Sequence, residues 1–182
     1  MRGSLLPFIA DEDVLPERVD AAAYRALMSA FPTGVAIVTS VDATGAPRGL
    51  TCSSLSSVAV SPPTLLVCLH NDSGTLDALL SRGAFAVNLL DTSGQAAAEV
   101  FAEPRSDRFN RLPWQATEML GLPILPDAAF AVAECAVSDT VVVGDHRVVF
   151  GEVLTISQRD ATPLLYGLRR YFRWPIGEAL HQ

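Results

Sequence analysis

The sequence contains no lysine, and all thirteen of its cations are arginines. Schiff-base chemistry and phosphate loops built on a lysine are thereby excluded. Metal ligation has as little to work with. The histidines His70, His146 and His181 share no helical ligand spacing, H-E-x-x-H is absent, and Cys52, Cys68 and Cys135 form no C-x-x-C pair, so no metal site is expected. There is no G-x-G anywhere, so a nicotinamide nucleotide would bind without the Rossmann fingerprint, and no G-x-S-x-G nucleophile elbow. No run approaches the roughly 18 to 20 apolar residues of a membrane span. The apolar stretch 5–10 is cut by Pro7 and followed by Asp11, Glu12 and Asp13, unlike a signal peptide. Thirteen cations against twenty acids give a net charge of -7, which leaves no electrostatic footprint for nucleic acid or an anionic membrane. An odd number of cysteines in a chain large enough to fold without staples fits a reducing, cytoplasmic setting.

What is present is an ordinary core-forming composition: 182 residues, 49% hydrophobic and 18% charged. Residues 1–19 mix proline, glycine and acids without a period and read as an arm, whereas 20–182 carry no repeat or linker and read as one domain. Asp20 caps an expected helix with Ala23, Tyr24, Leu27 and Phe31 on one face, stopped by Pro32. Strands are expected at 34–41, 48–60, 64–70, 84–91, 129–143 and 147–157, the last two joined through Gly144-Asp145-His146. Short helices are expected at 73–82, ended by Gly83, and at 93–101. Many short strands with few helices argue for a mainly β fold, a barrel whose closure removes exposed sheet edges.

Chemistry has few places to reside. Thr51, Cys52, Ser53, Ser54, Ser56 and Ser57 concentrate small polar groups between apolar strands, able to turn hydroxyls and amides toward a planar polar ligand; a bulged strand with a solvated face has the same composition. Asn71-Asp72-Ser73-Gly74-Thr75 lies between a strand end and a helix start, where free amides suit a phosphate and Asp72 must then face outward; a plain helix cap reads the same way. His146 beside Asp145 at a hairpin tip is either solvated or part of a pocket. Tyr166 with Arg169, Arg170 and Tyr171 forms either a cover for an anionic or aromatic ligand or a polar helix turn, and Phe101, Arg108 and Phe109 either pack or stack.

Taken in order, Phe31-Pro32-Thr33-Gly34-Val35, Gly49-Leu50-Thr51-Cys52-Ser53-Ser54-Leu55-Ser56-Ser57-Val58, Ser61-Pro62-Pro63, Phe85-Ala86-Val87-Asn88-Leu89-Leu90, Asp107-Arg108-Phe109, Gly144-Asp145-His146 and Pro163-Leu164-Leu165-Tyr166 resemble the flavin reductase family, the reductase components of two-component flavin-dependent monooxygenases. The resemblance spans residues 24–172. It implies a split β-barrel of the pyridoxamine-phosphate-oxidase type with a few short helices, usually a homodimer. It further implies that FAD or FMN is bound and that NADH or NADPH is oxidised. By position, Thr51, Cys52, Ser53 and Ser54 would line the isoalloxazine and ribityl chain, and His70, Asn71, Ser73, Gly74 and Thr75 would hold the phosphate. Phe101, Ala102 and Phe109 would complete the flavin pocket, His146 would meet the nicotinamide as the catalytic contact, and Tyr166 would close over it. Arg108 stands where many relatives carry lysine. Hydride transfer between stacked rings asks the protein for orientation and exclusion of water rather than for an acid or base. Reduced flavin would then pass to a separate oxygenase. Two other readings share these residues: a flavoprotein that keeps its flavin and acts on another small molecule, and a flavin-binding module without catalysis.

Overall fold

The computed structural model describes residues 18–104 and 106–175; most of the expected arm, at 1–17, and His181 lie outside them. Helix α1 (Ala21–Ser29) begins where expected, Asp20 accepting from the amides of Ala22 and Ala23 at 2.8 and 2.7 Å, but it buries none of its residues. It also stops two residues early, before Phe31-Pro32. The strands that follow are β1 (Thr33–Gly34), β2 (Ala36–Val41), β3 (Pro47–Cys52), β4 (Leu55–Val60) and β5 (Pro63–His70). Helix α2 (Gly74–Arg82) leads to β6 (Ala84–Leu90), a 3₁₀ turn (Thr92–Gly94) and α3 (Gln95–Ala102). A second 3₁₀ turn (Arg108–Asn110) precedes β7 (Gln115–Ala116), β8 (Pro123–Ile124), β9 (Ala129–Val143), β10 (His146–Gln158), β11 (Leu164–Gly167) and β12 (Arg170–Arg173).

Seven strands form one antiparallel sheet in the order β3-β2-β6-β9-β10-β5-β4, with small sheets β1-β11-β12 and β7-β8 beside it. The mainly β, split-barrel-like class is as expected, but closure is not: β3 and β4 remain the two edges of the large sheet. The break falls at Ser53-Ser54, inside what reads as one strand at 48–60. Cys52 pairs with Ala36 of β2, whereas Leu55 pairs with Val67 of β5, so the chain must change partners between them.

The central strands are buried on both faces, which is why β2 and β6 read as unbroken apolar runs. Ile37, Ala86, Leu90, Phe101 and Leu122 form one core on the α3 side; Val38, Leu69, Leu79, Phe85 and Val149 form a second on the α2 side. Val35, expected within a continuous strand, instead bridges two sheets: its amide donates to Leu164 and its carbonyl accepts from Leu90. At the other junction, Asn88 is fully buried with its amide satisfied by the Ile37 carbonyl and the Leu125 N–H, which pins the segment before β9 to the sheet. The segment around Arg169 and Arg170 is not a helix turn. It is the β11–β12 hairpin, whose two turn residues, Leu168 and Arg169, have φ of 49° and 60°.

Candidate functional site

A concavity opens at the N-terminus of α2. Ser73 caps the helix, its Oγ accepting from the Thr75 amide at 3.3 Å, and Gly83 ends the helix with φ 69°. In front of that first turn lies a cavity of about 380 Å³ lined by Pro47 to Leu50 of β3, by Asp72 to Thr75, and by Pro104, Ser106, Arg108 and Phe109. The Asp72 side chain is 92% exposed, with its carboxylate 3.9 Å from His70 Nδ1. Gly74 has open space where a Cβ would stand. Thr75 Oγ1 has no protein partner among the described residues, and both features leave room for an anion's oxygens at the positive helix end.

Arg108 gives this cavity its fixed cation. Its Nη1 donates to the Gly49 carbonyl at 2.7 Å and its Nε to the Glu103 carbonyl at 2.8 Å, with Nη2 also on Glu103. Burial lowers its pKa, yet a guanidinium stays charged at any relevant pH. The floor is aromatic. Phe109 lines the cavity and meets Phe101 edge-to-face at 4.9 Å and Trp114 at 5.7 Å. Phe101 itself is 1% exposed and stands behind Phe109. Gly49 is the third member of this packing, because a Cβ there would lie 2.9 Å from Phe101 and 3.1 Å from Phe109.

The remaining expected residues form separate groups. Thr51 spends its hydroxyl on the Ala98 carbonyl at 2.6 Å, tying β3 to α3, and Ser54 donates to Cys68 at 2.9 Å. Cys52 is buried, which pushes its thiol pKa up and removes it as a nucleophile. Ser53 opens instead on a second cavity of about 270 Å³, lined also by Phe31 to Ala36, Leu55 and Leu164. Among the described residues the amides of Ser53 and Ser54 make no hydrogen bond to another main-chain group, so this turn can present donors to a ligand. Ala102 is exposed at the end of α3, and Tyr166 on β11 packs against Tyr171 at 5.1 Å and lines neither cavity.

At the tip of the β9–β10 hairpin, His146 and His70 sit opposite each other in the ladder with rings 5.3 Å apart. His146 Nδ1 is 2.7 Å from Asp145 Oδ1, and this bond holds the Asp145 carboxyl below its ordinary pKa. That bond also orients the imidazole, directing Nε2 away from Asp145. His70 Nδ1 accepts from the Asp72 amide at 3.1 Å. His70 and Asn71 thus border the turn without lining its cavity.

Pro47, Arg48, Gly49, Leu50, Pro104 and Ser106 also line the cavity before α2 and lie outside the site residues expected from the sequence, and Arg108, expected to pack or stack beside Phe109, instead supplies a cation to it. A glycine inside a strand was the available signal for Gly49, since it marks close approach of another group.

A sequence model described as flavin reductase like domain matches residues 28–175. The chain is 50% identical to a flavin reductase (NADPH) of Lentzea aerocolonigenes over 156 residues, 86% of this chain and 91% of that protein. It is 42% identical to a flavin reductase (NADH) of Kitasatospora aureofaciens over 168 residues, 91% of this chain and 88% of that one. An NADH:FAD oxidoreductase of Streptomyces globisporus C-1027, solved in complex with NAD and FAD fragments, matches the fold with a TM-score of 0.81 at 33% identity, over 88% of this chain and 98% of that one. Other similar proteins include the reductase subunit of a flavin-dependent monooxygenase and the flavin reductase component of a two-component tryptophan halogenase.

Proposed function

This chain belongs to the flavin reductase-like family, and from that premise we infer that it is an NAD(P)H:flavin oxidoreductase that supplies reduced FAD or FMN to a separate monooxygenase. The observation that carries the reading onto this chain is the cavity before α2, where Gly74, Thr75 and Arg108 offer an open helix end, a free hydroxyl and a fixed cation together. Those groups suit the phosphate of a flavin nucleotide. Bound flavin supplies the hydride acceptor, and the reduced nicotinamide the donor. The chain's own residues bind and orient. The amides of Ser53 and Ser54 would donate to the flavin's pyrimidine edge, where negative charge grows on reduction. Phe109, backed by Phe101, shields one side of the pocket from water, and His146, oriented by Asp145, meets the nicotinamide. Tyr166 belongs to the cover over that ring.

The reading includes a homodimer. Strand β4 is an edge exposed along nearly its whole length, with Val60 91% exposed, and Ile156, Val142, Leu27 of α1 and Phe31 just beyond it add exposed apolar surface. Covering such surface and such an edge with a second copy removes both liabilities. Residues 20–182 act as one domain, with 1–19 as an arm. The setting is cytoplasmic, where three unpaired cysteines stay reduced.

The test is NAD(P)H oxidation by purified protein without added flavin and with excess FAD, FMN or riboflavin, alongside sedimentation to count subunits. Oxidation that requires added flavin is expected. Equal turnover without added flavin would mean a retained cofactor and another acceptor; no oxidation under any condition would leave only a binding module.

A further inference from the structure

Asn71 fastens the turn that follows β5 to the tip of the β9–β10 hairpin, beside the His70–His146 ring contact at 5.3 Å. Asn71 donates twice: its backbone N–H to the Asp145 carbonyl at 2.9 Å, and its side-chain Nδ2 to the Gly144 carbonyl at 3.1 Å. A carbonyl accepts only, so the amide end of Asn71 must face Gly144. Its Oδ1 is shielded from solvent and has no hydrogen-bond partner among the described residues. On the other side the turn is bonded through to α2: Ser73 N–H donates to the His70 carbonyl at 3.0 Å, and Ser73 Oγ accepts from Thr75. Four residues therefore join the helix end assigned to the flavin phosphate with the loop that carries His146.

We propose that Asn71 is a positioning residue that couples seating of the flavin phosphate at the α2 N-terminus to nicotinamide binding at His146. The inference rests on the site assignment above. A phosphate held by the amide and hydroxyl groups of residues 73–75 stiffens the turn, and Asn71 passes that order to Gly144 and Asp145, of which Asp145 holds the His146 ring. Nicotinamide then binds a tip whose ordering cost has already been met, which is positive coupling without a large change of shape. Asn71 lines neither cavity, so its amide is not itself a phosphate ligand. Removing it deletes one hydrogen bond but also a shielded, unpartnered acceptor, and it frees a Gly144 carbonyl at an exposed tip where water replaces the donor. Stability should accordingly change little, which separates positioning from a structural role.

The experiment compares KM for the preferred nicotinamide nucleotide with saturating FMN and with saturating riboflavin, which lacks the phosphate. In the unaltered protein KM is expected to be about fivefold lower with FMN, the lower end of ordinary coupling. In Asn71→Ala, and in Asn71→Asp, which keeps the volume but replaces the donor, KM with FMN rises to the riboflavin value. Riboflavin kinetics, the melting temperature and the Kd for FMN without nicotinamide stay within about twofold or a degree or two, as for loss of a single solvated hydrogen bond. Hydrogen exchange at 144–146 slows on FMN addition in the unaltered protein and not in the variants. Equal KM values with the two flavins in the unaltered protein, or a difference that survives both substitutions, overturns the proposal. Thr75→Val keeps the two failures apart: if it weakens FMN but not riboflavin, the phosphate assignment stands whatever Asn71 does, and if it weakens neither, that assignment falls.

Discussion

Arg108 Nη1 donates to the carbonyl of Gly49 at 2.7 Å, so a loop after α3 and the edge strand β3 are locked into one wall. The guanidinium reaches two carbonyls on separate segments at once, a span that the single ammonium of lysine does not reproduce. Arg108→Ala is expected to raise the Kd for FMN about tenfold, as for loss of charge-assisted bonds near a phosphate, with a smaller effect on riboflavin. Fluorescence titration with the two flavins checks both parts.

Gly49 has no room for a side chain. A methyl group there would meet Phe101, Thr39 and Phe109 at 2.9 to 3.1 Å. Gly49→Ala is expected to cost about 1–3 kcal/mol of stability through displacement of the aromatic pair. It should also weaken flavin binding; denaturant melts and flavin titration report the two separately.

His146→Ala leaves the cavity before α2 untouched, since His146 does not line it. Its expected effect is a rise in KM for NAD(P)H of about tenfold or more, with flavin Kd within about twofold, by removal of one oriented contact. Steady-state kinetics with either substrate varied decide it, and an equal loss of both would remove His146 from the nicotinamide site.

The β11–β12 turn runs through Leu168 and Arg169 at φ of 49° and 60°, a conformation that asparagine and glycine adopt more readily. Replacing the pair by Asn-Gly is expected to stabilise the protein by about 1 kcal/mol. A higher denaturation midpoint at unchanged slope would confirm it.

Asp91 is 4% exposed and accepts from the Ser93 amide and hydroxyl at 2.7 and 2.5 Å while pairing with Arg159. Burial pushes its pKa up, but the Ser93 and Arg159 bonds outweigh burial and hold it below the ordinary 3.8. A carboxyl depressed on folding contributes stability above its unfolded pKa and loses it as pH falls through the folded value. Asp91→Ala is therefore expected to lose about 2 kcal/mol at neutral pH, with the gap to the unaltered protein closing in acid below 3.8. Melts across that range check the sign.

Local chemistry determined a good part of this molecule before any tertiary contact. The Asp20 and Ser73 caps, the Gly83 stop, and the long β9 and β10 with their Gly144-Asp145 turn follow from side chains a few residues apart, and each stands within a residue or so of its expected place. The ordered motifs were enough to mark the family. The tertiary structure alone decided which of those residues meet. Partner exchange between β2 and β5 broke the 48–60 segment at Ser53-Ser54 and left the barrel open, and that choice depends on strands far apart in sequence. Packing buried Phe101 behind Phe109, turned Thr51 onto Ala98, and brought Gly49 and Arg108 to the cavity across 59 residues of chain. Such contacts are set by register and volume summed over the whole core, which no local pattern encodes.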